Sequence, residues 1–402
     1  MTADENFKEE LIRLFTDRYL PRDEIIHRLP LSLPIGVFWP ELTAARKKLA
    51  VELPLCDRNG FPFWFVINRT VEDQCNAVSE MARRDYVFDD PIFETAADDA
   101  VLDEAVYSSV IEGAFTSHKE AAAFIRGGAE PKNKSEQMVK NNYDALTYVL
   151  EHIAEPIREE TVIRIAEIVT HGTAVSPVTG YRTIQVYVSG PEGPVYTPLD
   201  ASKVPDMMSG LIDFIRNNEL HPVLKACIAH FYFVYVHPFE DGNGRTARAL
   251  SYMMLLQSGY DFFRYFSVSD ITAKERGRYY CSIQNSENED GDITYFIDCY
   301  SGILARSVRQ MEEHLLHHVF AERRLKQLDA AGVLNERQMK GAKWILESGQ
   351  QKVTVEAWKK RYKVVTETAR LDLLALCGCG LLARTVEGRK AVFRISDEYT
   401  NV

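Results

Sequence analysis

The sequence lacks any apolar stretch near the ~20 residues that a membrane-spanning helix requires. Its first segment, Met1–Asp23, carries charges throughout, where a signal peptide would have an apolar block. We therefore expect a cytoplasmic protein without a membrane segment.

Cysteine is also scarce. The chain of 402 residues has 7 cysteines, an odd number scattered from Cys56 to Cys379. Cys377 and Cys379 are the only close pair, and no second Cys or His pair beside them completes a tetrahedral metal site. This pattern favours free thiols in a reducing compartment over a disulfide framework.

Positive charge is in the minority, with 47 Lys plus Arg against 58 Asp plus Glu and a formal net charge of -11. The balance argues against a surface that coats nucleic acid or anionic membrane. The positive charge is concentrated, however, because residues 321–395 contain 16 Lys plus Arg and 8 Asp plus Glu. This local charge of +8 leaves -19 for the rest of the chain.

With 402 residues, 46% of them hydrophobic, the chain is too long for one ordinary domain. We predict a mainly α protein in three parts. Residues 1–97 are rich in proline and are expected to form an irregular wrapping segment, with a short helix over Trp39–Glu52. A small sheet is predicted around Phe61–Asn68.

Residues 98–327 are predicted to form a helical domain. Its first helix, over residues 98–113, closes with a glycine. The alternating, β-branched stretch Gly180–Val188 predicts a strand that returns as Val195–Thr197 after turn residues. The helix Pro222–Val236 is apolar or aromatic on most sides, which indicates a central, buried position.

Residues 328–402 show another order, three helices closed by a β-hairpin, which is that of a winged helix-turn-helix domain. Val365–Arg370 opens the predicted recognition helix with short polar residues and an arginine, as in proteins that read the major groove. Together with the local positive charge, this makes DNA a candidate partner. Dimerisation or docking of a protein is the alternative use of such a domain.

The stretch that carries chemistry runs from His237 to Arg248: His-Pro-Phe-Glu-Asp-Gly-Asn-Gly-Arg-Thr-Ala-Arg. Gly242 and Gly244 flank an asparagine at a predicted helix start, where uncovered backbone N–H groups and the helix dipole suit an anion such as phosphate. Arg245 and Arg248 are three positions apart, hence on one face of that helix, and both can reach the same anion.

Two side chains of this loop add reactive groups. Asp241 lies beside the predicted phosphate site, where a carboxylate is the usual oxygen ligand for Mg²⁺. His237 ends the buried helix and can take a proton from a hydroxyl at neutral pH. Taken singly, the histidine, the glycine turn and the arginine pair each occur in structural roles, as helix cap, turn or solvated face. Jointly they predict in-line nucleotidyl or phosphoryl transfer.

At every position this stretch resembles the signature of the Fic family, His-Pro-Phe-x-Asp/Glu-Gly-Asn-Gly-Arg-x-x-Arg. The resemblance covers roughly residues 102–304, and Gly180-Tyr181-Arg182 resembles the turn that precedes the family's hairpin. It implies a Fic-type helical bundle with a β-hairpin flap, which binds ATP with Mg²⁺ and transfers AMP to a Ser, Thr or Tyr hydroxyl of a protein.

The resemblance also implies a role for each residue of the signature. His237 would be the general base, Asp241 the metal ligand, and Phe239 would plug the loop into the core. The residues implied to bind the nucleotide are Gly242 and Gly244 as backbone donors, Asn243 at the α-phosphate, Arg245 at the α- and β-phosphates, and Arg248 at the γ-phosphate.

Two further regions follow from the same resemblance. The hairpin Ile184–Pro198 resembles the flap that clamps the backbone of the target by strand addition, with a plain edge hairpin as the alternative. Its docking residues would be Ile184, Gln185, Val186, Tyr187 and Val188. The adenine pocket would be lined by Tyr279, Tyr280 and Asn285, although aromatic residues on a helix also suit a core.

Ser108-Ser109-Val110-Ile111-Glu112-Gly113 matches the family's inhibitory pattern, Ser/Thr-x-x-x-Glu-Gly/Asn. The resemblance implies that Glu112 pairs with Arg248, and this charge-assisted pair would occupy the position of a γ-phosphate. ATP would then bind in an unproductive conformation. In some inhibited members the same glutamate orients a water that removes AMP from the target.

We therefore predict a protein adenylyltransferase that uses ATP and Mg²⁺, modifies an unidentified target protein and itself, and is autoinhibited through Ser108 and Glu112. The alternatives are a nucleotide-sensing DNA-binding regulator, a de-AMPylase that uses Glu112, and an enzyme that transfers another phosphate-bearing group. A homo-oligomer is also expected.

Overall fold

A computed structural model of the chain describes residues 3–83, 91–190, 193–288, 290–347, 352–387 and 390–396. The fold is mainly helical, as predicted. The chain divides into unit 1, Met1–Arg309, and unit 2, Gln310–Val402, while the domain boundaries proposed from the sequence stay predictions. Among the described residues, no helix has the length and apolarity needed to cross a membrane. The cysteines are free thiols.

The first part of unit 1 is more regular than predicted. Its elements are α1 (Ala3–Arg18), α2 (Arg22–Ile26), α3 (Ile35–Lys47), β1 (Ala50–Cys56), β2 (Pro62–Val66) and α4 (Arg69–Ala82). The predicted sheet is present as an antiparallel β1–β2 hairpin, in which Ala50 pairs with Val66.

The predicted helix over Trp39–Glu52 is wrong at its end, because α3 stops at Lys47 and the chain turns into β1. In β1, buried Leu53 and Leu55 alternate with exposed neighbours, which is the period of a strand. A proline between them is tolerated at the edge of a two-stranded sheet but would interrupt a helix.

The rest of unit 1 is a helical bundle with a small hairpin. Its elements are α5 (Pro91–Ile111), α6 (His118–Gly127), α7 (Lys134–Glu151), α8 (Glu159–Thr170), β3 (Val188–Gly190), β4 (Gly193–Tyr196), α9 (Val204–Asn217), α10 (Pro222–Val236), α11 (Asn243–Gln257), α12 (Val268–Lys274), α13 (Arg276–Asn288) and α14 (Thr294–Ala331), the last continuing past residue 309. Helix α10 is buried along most of its length and packs on α9 and α11, so its predicted central position is confirmed.

The β3–β4 hairpin is shorter than predicted. The strand predicted over Gly180–Val188 is wrong for most of its length, since β3 begins only at Val188, which pairs with Tyr196. The physical reason is Arg182, whose backbone N–H donates to the Pro238 carbonyl oxygen at 2.8 Å. Its guanidinium donates to further carbonyl oxygens, those of Ile184, Leu199 and His237.

Unit 2 contains the helices and the closing hairpin predicted for it. Its elements after α14 are α15 (Glu336–Glu347), β5 (Lys352–Thr354), α16 (Val355–Tyr362), α17 (Thr366–Gly378), β6 (Leu382–Glu387) and β7 (Lys390–Ile395). The strands form an antiparallel sheet in the order β5-β7-β6 over a core around Trp358 and Phe393. Predicted turn positions 191–192, 348–349 and 388–389 lie outside the described residues. The winged-helix assignment and DNA binding stay predictions.

Candidate active site

Helix α10 ends at the histidine of the signature. His237 has a φ of +52°, in the left-handed region, and its backbone N–H donates to the Phe233 carbonyl oxygen at 3.0 Å. A residue with a Cβ rarely adopts this conformation, so contacts around it must hold it there. Arg182 supplies one, because its Nε donates to the His237 carbonyl oxygen at 2.8 Å.

Asn243 braces the loop that follows. Its Oδ1 accepts from the Phe239 N–H at 3.0 Å, and its Nδ2 donates to the Phe239 carbonyl oxygen at 2.8 Å. The Phe239 ring is buried against Tyr181 and Phe233. The ring thus fixes the loop to the core, and the Asn243 amide holds the shape of the loop. Contact of Asn243 with an α-phosphate stays a prediction.

The His237 imidazole is placed to accept a proton. Its Nδ1 lies 3.2 Å from the Val234 carbonyl oxygen, and because a carbonyl only accepts, Nδ1 carries the proton and Nε2 keeps its lone pair. Burial lowers the pKa of His237 to about 4, against the opposing effects of the Val234 carbonyl, Glu112 and Asp241. The ring is therefore neutral at pH 7, as a general base must be.

Glycine is required twice where α11 begins. Gly242 is the N-cap of α11 with a φ of +81°, and a Cβ on it would lie 2.6 Å from Thr170 Cγ2. A Cβ on Gly244 would overlap the Glu112 carboxylate. The helix start is thus kept free of side chains at the place where backbone N–H groups and the helix dipole favour an anion.

Arg245 is buried and faces its own loop. Its Nη1 donates to the Val169 carbonyl oxygen at 2.9 Å, and its Nη2 lies 3.3 Å from Asp241 Oδ1. Burial lowers the pKa of Arg245, although the guanidinium remains charged at neutral pH. Within the described residues its Nε has no hydrogen-bond partner, so a buried donor remains for a ligand.

Arg248 takes its partners from the end of α5. Its Nη2 donates to Glu112 Oε1 at 2.8 Å and to the Ser108 carbonyl oxygen at 2.9 Å, while its Nε donates to the Ser108 hydroxyl at 2.8 Å. Burial alone would lower the pKa of Arg248, but Glu112 contributes to a net upward shift. The Arg248 side chain is 2% exposed and that of Glu112 28%. Nη1 of Arg248 has no partner in the described part of the chain.

The helix that carries this glutamate is anchored by a carboxylate that sequence reasoning missed. Glu104 is buried, and its Oε2 accepts from the Ser267 hydroxyl at 2.7 Å and from the Ser269 N–H at 2.9 Å. On another side of α5, Asn142 Nδ2 donates to the Ala105 carbonyl oxygen at 3.3 Å. The available signal was an acidic residue among the apolar positions of α5.

Asp241 is the residue that fits a divalent cation. Its side chain is 43% exposed, and its Oδ1 accepts from the Gly242 N–H at 2.6 Å and faces Arg245. No hydrogen bond to Oδ2 is found within the described residues. In the same part of the chain no group of three or more His, Cys, Asp and Glu could hold a metal. A single carboxylate suits Mg²⁺, which is commonly bound by one or two carboxylates together with substrate phosphates.

The residues predicted for the adenine pocket lie on α13. Tyr279 is 1% exposed, and its hydroxyl lies 2.8 Å from His230 Nε2, so it packs in the core. Tyr280 is half-buried, and its hydroxyl donates to the Ile111 carbonyl oxygen at the end of α5, at 3.4 Å. Asn285 is half-buried. An adenine contact stays a prediction for all three.

The predicted docking residues of the flap precede the hairpin rather than forming its first strand. Ile184 and Tyr187 are exposed, 54% and 62% respectively. Gln185 Nε2 donates to the Pro198 carbonyl oxygen at 3.0 Å, which ties this segment to the chain after β4. Val186 and Val188 are half-buried, and of the five only Val188 lies in a strand. Docking of a target at these residues stays a prediction.

Known proteins are similar to the segment of the chain that contains the loop. Residues 156–255 match the model of the Fic/DOC family. The protein adenylyltransferase Fic of Drosophila grimshawi is 34% identical over 125 residues, and that of Culex quinquefasciatus is 36% identical over 127 residues. Each alignment covers 31% of this chain but only 24% and 23% of the relatives, so the chain spans about a quarter of the length of the curated relatives it matches.

A solved structure extends the likeness to the fold. The crystal structure of a Fic family protein from Desulfovibrio desulfuricans G20 has a TM-score of 0.54 at 19% identity, covering 82% of this chain and 97% of that one. The segment that matches the family includes the loop from His237 to Arg248, whereas Glu112 and the β1–β2 hairpin lie before it. The similarity to the Fic/DOC family therefore covers residues 156–255, and the fold of the chain resembles that of the solved Fic family structure.

Proposed function

We propose that this chain is a protein adenylyltransferase, which transfers AMP from ATP to a Ser, Thr or Tyr hydroxyl of a target protein and of itself. The observation that carries the proposal is His237, a neutral base with a free Nε2 lone pair at the head of the glycine loop. Two buried arginines with unpartnered N–H groups in the described part of the chain follow it. The names of the Drosophila and Culex relatives support the reaction class.

In the proposed reaction the hydroxyl oxygen of the target attacks the α-phosphorus of ATP, and its proton passes to His237 Nε2. A new oxygen–phosphorus bond forms, the bond from the α-phosphorus to the oxygen that bridges to the β-phosphate breaks, and pyrophosphate leaves. The Nδ1–H contact with Val234 holds the ring orientation through the transfer. Arg245 and Arg248 offer fixed positive charge to the phosphates, in the manner of a preorganised site.

Asp241 would hold Mg²⁺ in this scheme. Its Oδ1 already serves the Gly242 N–H and Arg245, so Oδ2 is the oxygen offered to the cation. When bound, the cation supplies neutralisation of the charge on the phosphates.

We infer further that the chain is autoinhibited in the described conformation. The Glu112 carboxylate takes the Arg248 N–H that a γ-phosphate would use, and the pair is worth more than a surface pair because Arg248 is 2% exposed. The helix behind Glu112 is fixed by Glu104 and Asn142. A movement of the Glu112 side chain, or of the turn that carries it, would free Arg248 while α5 keeps these contacts.

Incorporation of label from ATP marked on the α-phosphate tests both proposals. We expect Glu112→Gly to label itself faster than the unchanged chain, and mass spectrometry of the product to find AMP rather than another phosphate-bearing group. A Glu112→Gly protein that binds ATP but gains no label would contradict the adenylyltransferase assignment. A labelled product that carries a different group would contradict the choice of AMP alone.

A further inference from the structure

A residue of the N-terminal hairpin touches both the flap and the catalytic helix. Arg58 lies in the turn between β1 and β2, and its guanidinium carbon is 5.4 Å from the ring centroid of Tyr196 and 5.9 Å from that of Tyr235. Tyr196 is the last residue of β4, and Tyr235 precedes His237 by two positions on α10. A single side chain thus bridges the hairpin that would dock the target and the helix that ends in the base.

The two tyrosines beneath Arg58, Tyr196 and Tyr235, also contact each other. The Tyr196 hydroxyl donates to the Tyr235 carbonyl oxygen at 2.9 Å, and the two ring centroids are 5.9 Å apart. Burial raises the pKa of the Glu287 carboxyl of α13 to about 8, and the charge of Arg58 acts on that pKa in the opposite direction. A guanidinium over aromatic faces in partly desolvated surroundings is an attractive contact with a defined geometry.

The turn that presents Arg58 is held from several sides. The Arg58 N–H donates to the Tyr235 hydroxyl at 2.9 Å, and its carbonyl oxygen accepts from Lys203 Nζ at 2.8 Å. The Tyr232 hydroxyl of α10 donates to the Cys56 carbonyl oxygen at 3.2 Å. These hydrogen bonds therefore hold the turn, and with it Arg58, in a defined position beside the flap.

We propose that Arg58 is a positioning residue for target docking, which fixes β4 through Tyr196 and, through the pairing of Tyr196 with Val188, fixes β3 at a set distance from His237. The proposal rests on the proposed function. Strand addition delivers a hydroxyl to the base only if the receiving strand keeps its place, and small misplacements are costly in rate. Since Arg58 precedes the segment that matches the family, the N-terminal hairpin contributes to a site that the segment alone does not complete.

Amide hydrogen exchange tests the positioning role without relying on activity. Arg58→Ala removes the guanidinium but keeps the backbone bond to Tyr235, so we expect peptides that contain Val188 or Tyr196 to exchange about 3- to 10-fold faster. Peptides from α10 and α11 should keep their exchange rates, and the affinity for ATP should stay within about twofold. Arg58→Lys should restore most of the protection because an ammonium also binds an aromatic face. Tyr196→Leu removes the aromatic partner of Arg58 and should cause the same loss of protection.

The kinetic arm uses the Glu112→Gly background. Arg58→Ala should lower kcat for self-labelling by about 10-fold with the KM for ATP unchanged, because the flap would be misplaced while the phosphate loop is intact. Arg69→Ala, which changes an exposed arginine at the start of α4, is the matched control and should change neither measurement.

Flap exchange equal to that of the unchanged chain, or faster exchange throughout unit 1, would overturn the proposal. If Glu112→Gly shows no labelling, the proposed function fails and the exchange measurement still decides the role of Arg58.

Discussion

Two helix ends meet at the glycine loop. Helix α10 ends in His237 at a φ of +52°, and α5 ends one residue before Glu112, which is followed by Gly113 at a φ of +90°. Each end therefore uses a left-handed residue to turn the chain, and each presents a titratable side chain near the start of α11. The backbone device is similar, but the surroundings of the two side chains differ.

His237 contacts a backbone carbonyl through Nδ1, and burial keeps it neutral. Glu112 instead forms an ion pair with a buried arginine. Partners, rather than local conformation, therefore distinguish the two helix ends: His237 keeps a neutral imidazole, whereas the Glu112 carboxylate is paired with the Arg248 guanidinium.

The largest effect is expected at the end of α10. Combining His237→Ala with Glu112→Gly should lower self-labelling by about 10²- to 10⁴-fold relative to Glu112→Gly alone, because a positioned general base contributes that much. Steady-state incorporation of labelled AMP measures it. The affinity for ATP should be retained in the double variant. Labelling within tenfold of the Glu112→Gly rate would show that His237 is not the base.

The end of α5 should give the next largest effect. Glu112→Gly frees Arg248, and self-labelling should rise by about 10- to 100-fold, which is what the loss of a charge-assisted hydrogen bond in a buried setting corresponds to. The measurement is again label incorporation, now against the unchanged chain. Glu112→Gln keeps the shape of the side chain and removes its negative charge. Its labelling rate should therefore lie between that of the unchanged chain and that of Glu112→Gly. An unchanged rate in both variants would remove the inhibitory role of Glu112.

A smaller change is expected one turn before the glutamate. Ser108→Ala removes the hydroxyl that accepts from Arg248 Nε but leaves the Ser108 carbonyl oxygen in place, so labelling should rise by only about 2- to 5-fold. Ser109→Ala is the matched control, since the Ser109 hydroxyl donates to the Ala105 carbonyl oxygen and does not touch Arg248. A rise as large as that of Glu112→Gly would mean that Ser108, not the ion pair, dominates the restraint.

The smallest effect concerns pH. The pKa of His237 is lowered to about 4. The Glu112 carboxylate raises this pKa, so its removal in Glu112→Gly cannot increase the pKa further. The base is therefore protonated only as the pH falls toward about 4, and kcat/KM of Glu112→Gly should drop by less than about twofold between pH 7.5 and 5.5. A histidine with an ordinary pKa near 6.5 would lose about tenfold over that interval. A tenfold loss would show that the neutral ring is not maintained.

Much of the site could be predicted because its parts are contiguous. His237, the two glycines and the two arginines lie within twelve residues, and the helix periodicity on both sides sets their relative directions. The buried position of α10 could likewise be predicted without tertiary information, since its residues are apolar or aromatic on most sides. Assignments of this kind depend on local spacing and on the helix period.

Other features depended on distant contacts. The stretch Gly180–Val188 has the alternation of a strand, yet Arg182 donates to the carbonyl oxygens of His237 and Pro238, and β3 begins only at Val188. Glu104 and Arg58 belong to no motif. Their partners lie 163 and 177 positions away, so local spacing could not show which groups they contact.

The sequence alone determined the mainly helical class, the composition of the loop from His237 to Arg248 and the position of Glu112 before Gly113, because helix periodicity and short motifs are properties of neighbouring residues. Tertiary structure decided which groups meet: Glu112 reaches Arg248 across 136 positions, and Arg58 reaches Tyr235 across 177. Burial then decided their chemistry, since removal from water lowers the pKa of His237 and strengthens the pair that holds Arg248. Local sequence does not show which residues are close in space or excluded from water, and these two properties set the protonation state of His237 and the strength of the Glu112–Arg248 pair.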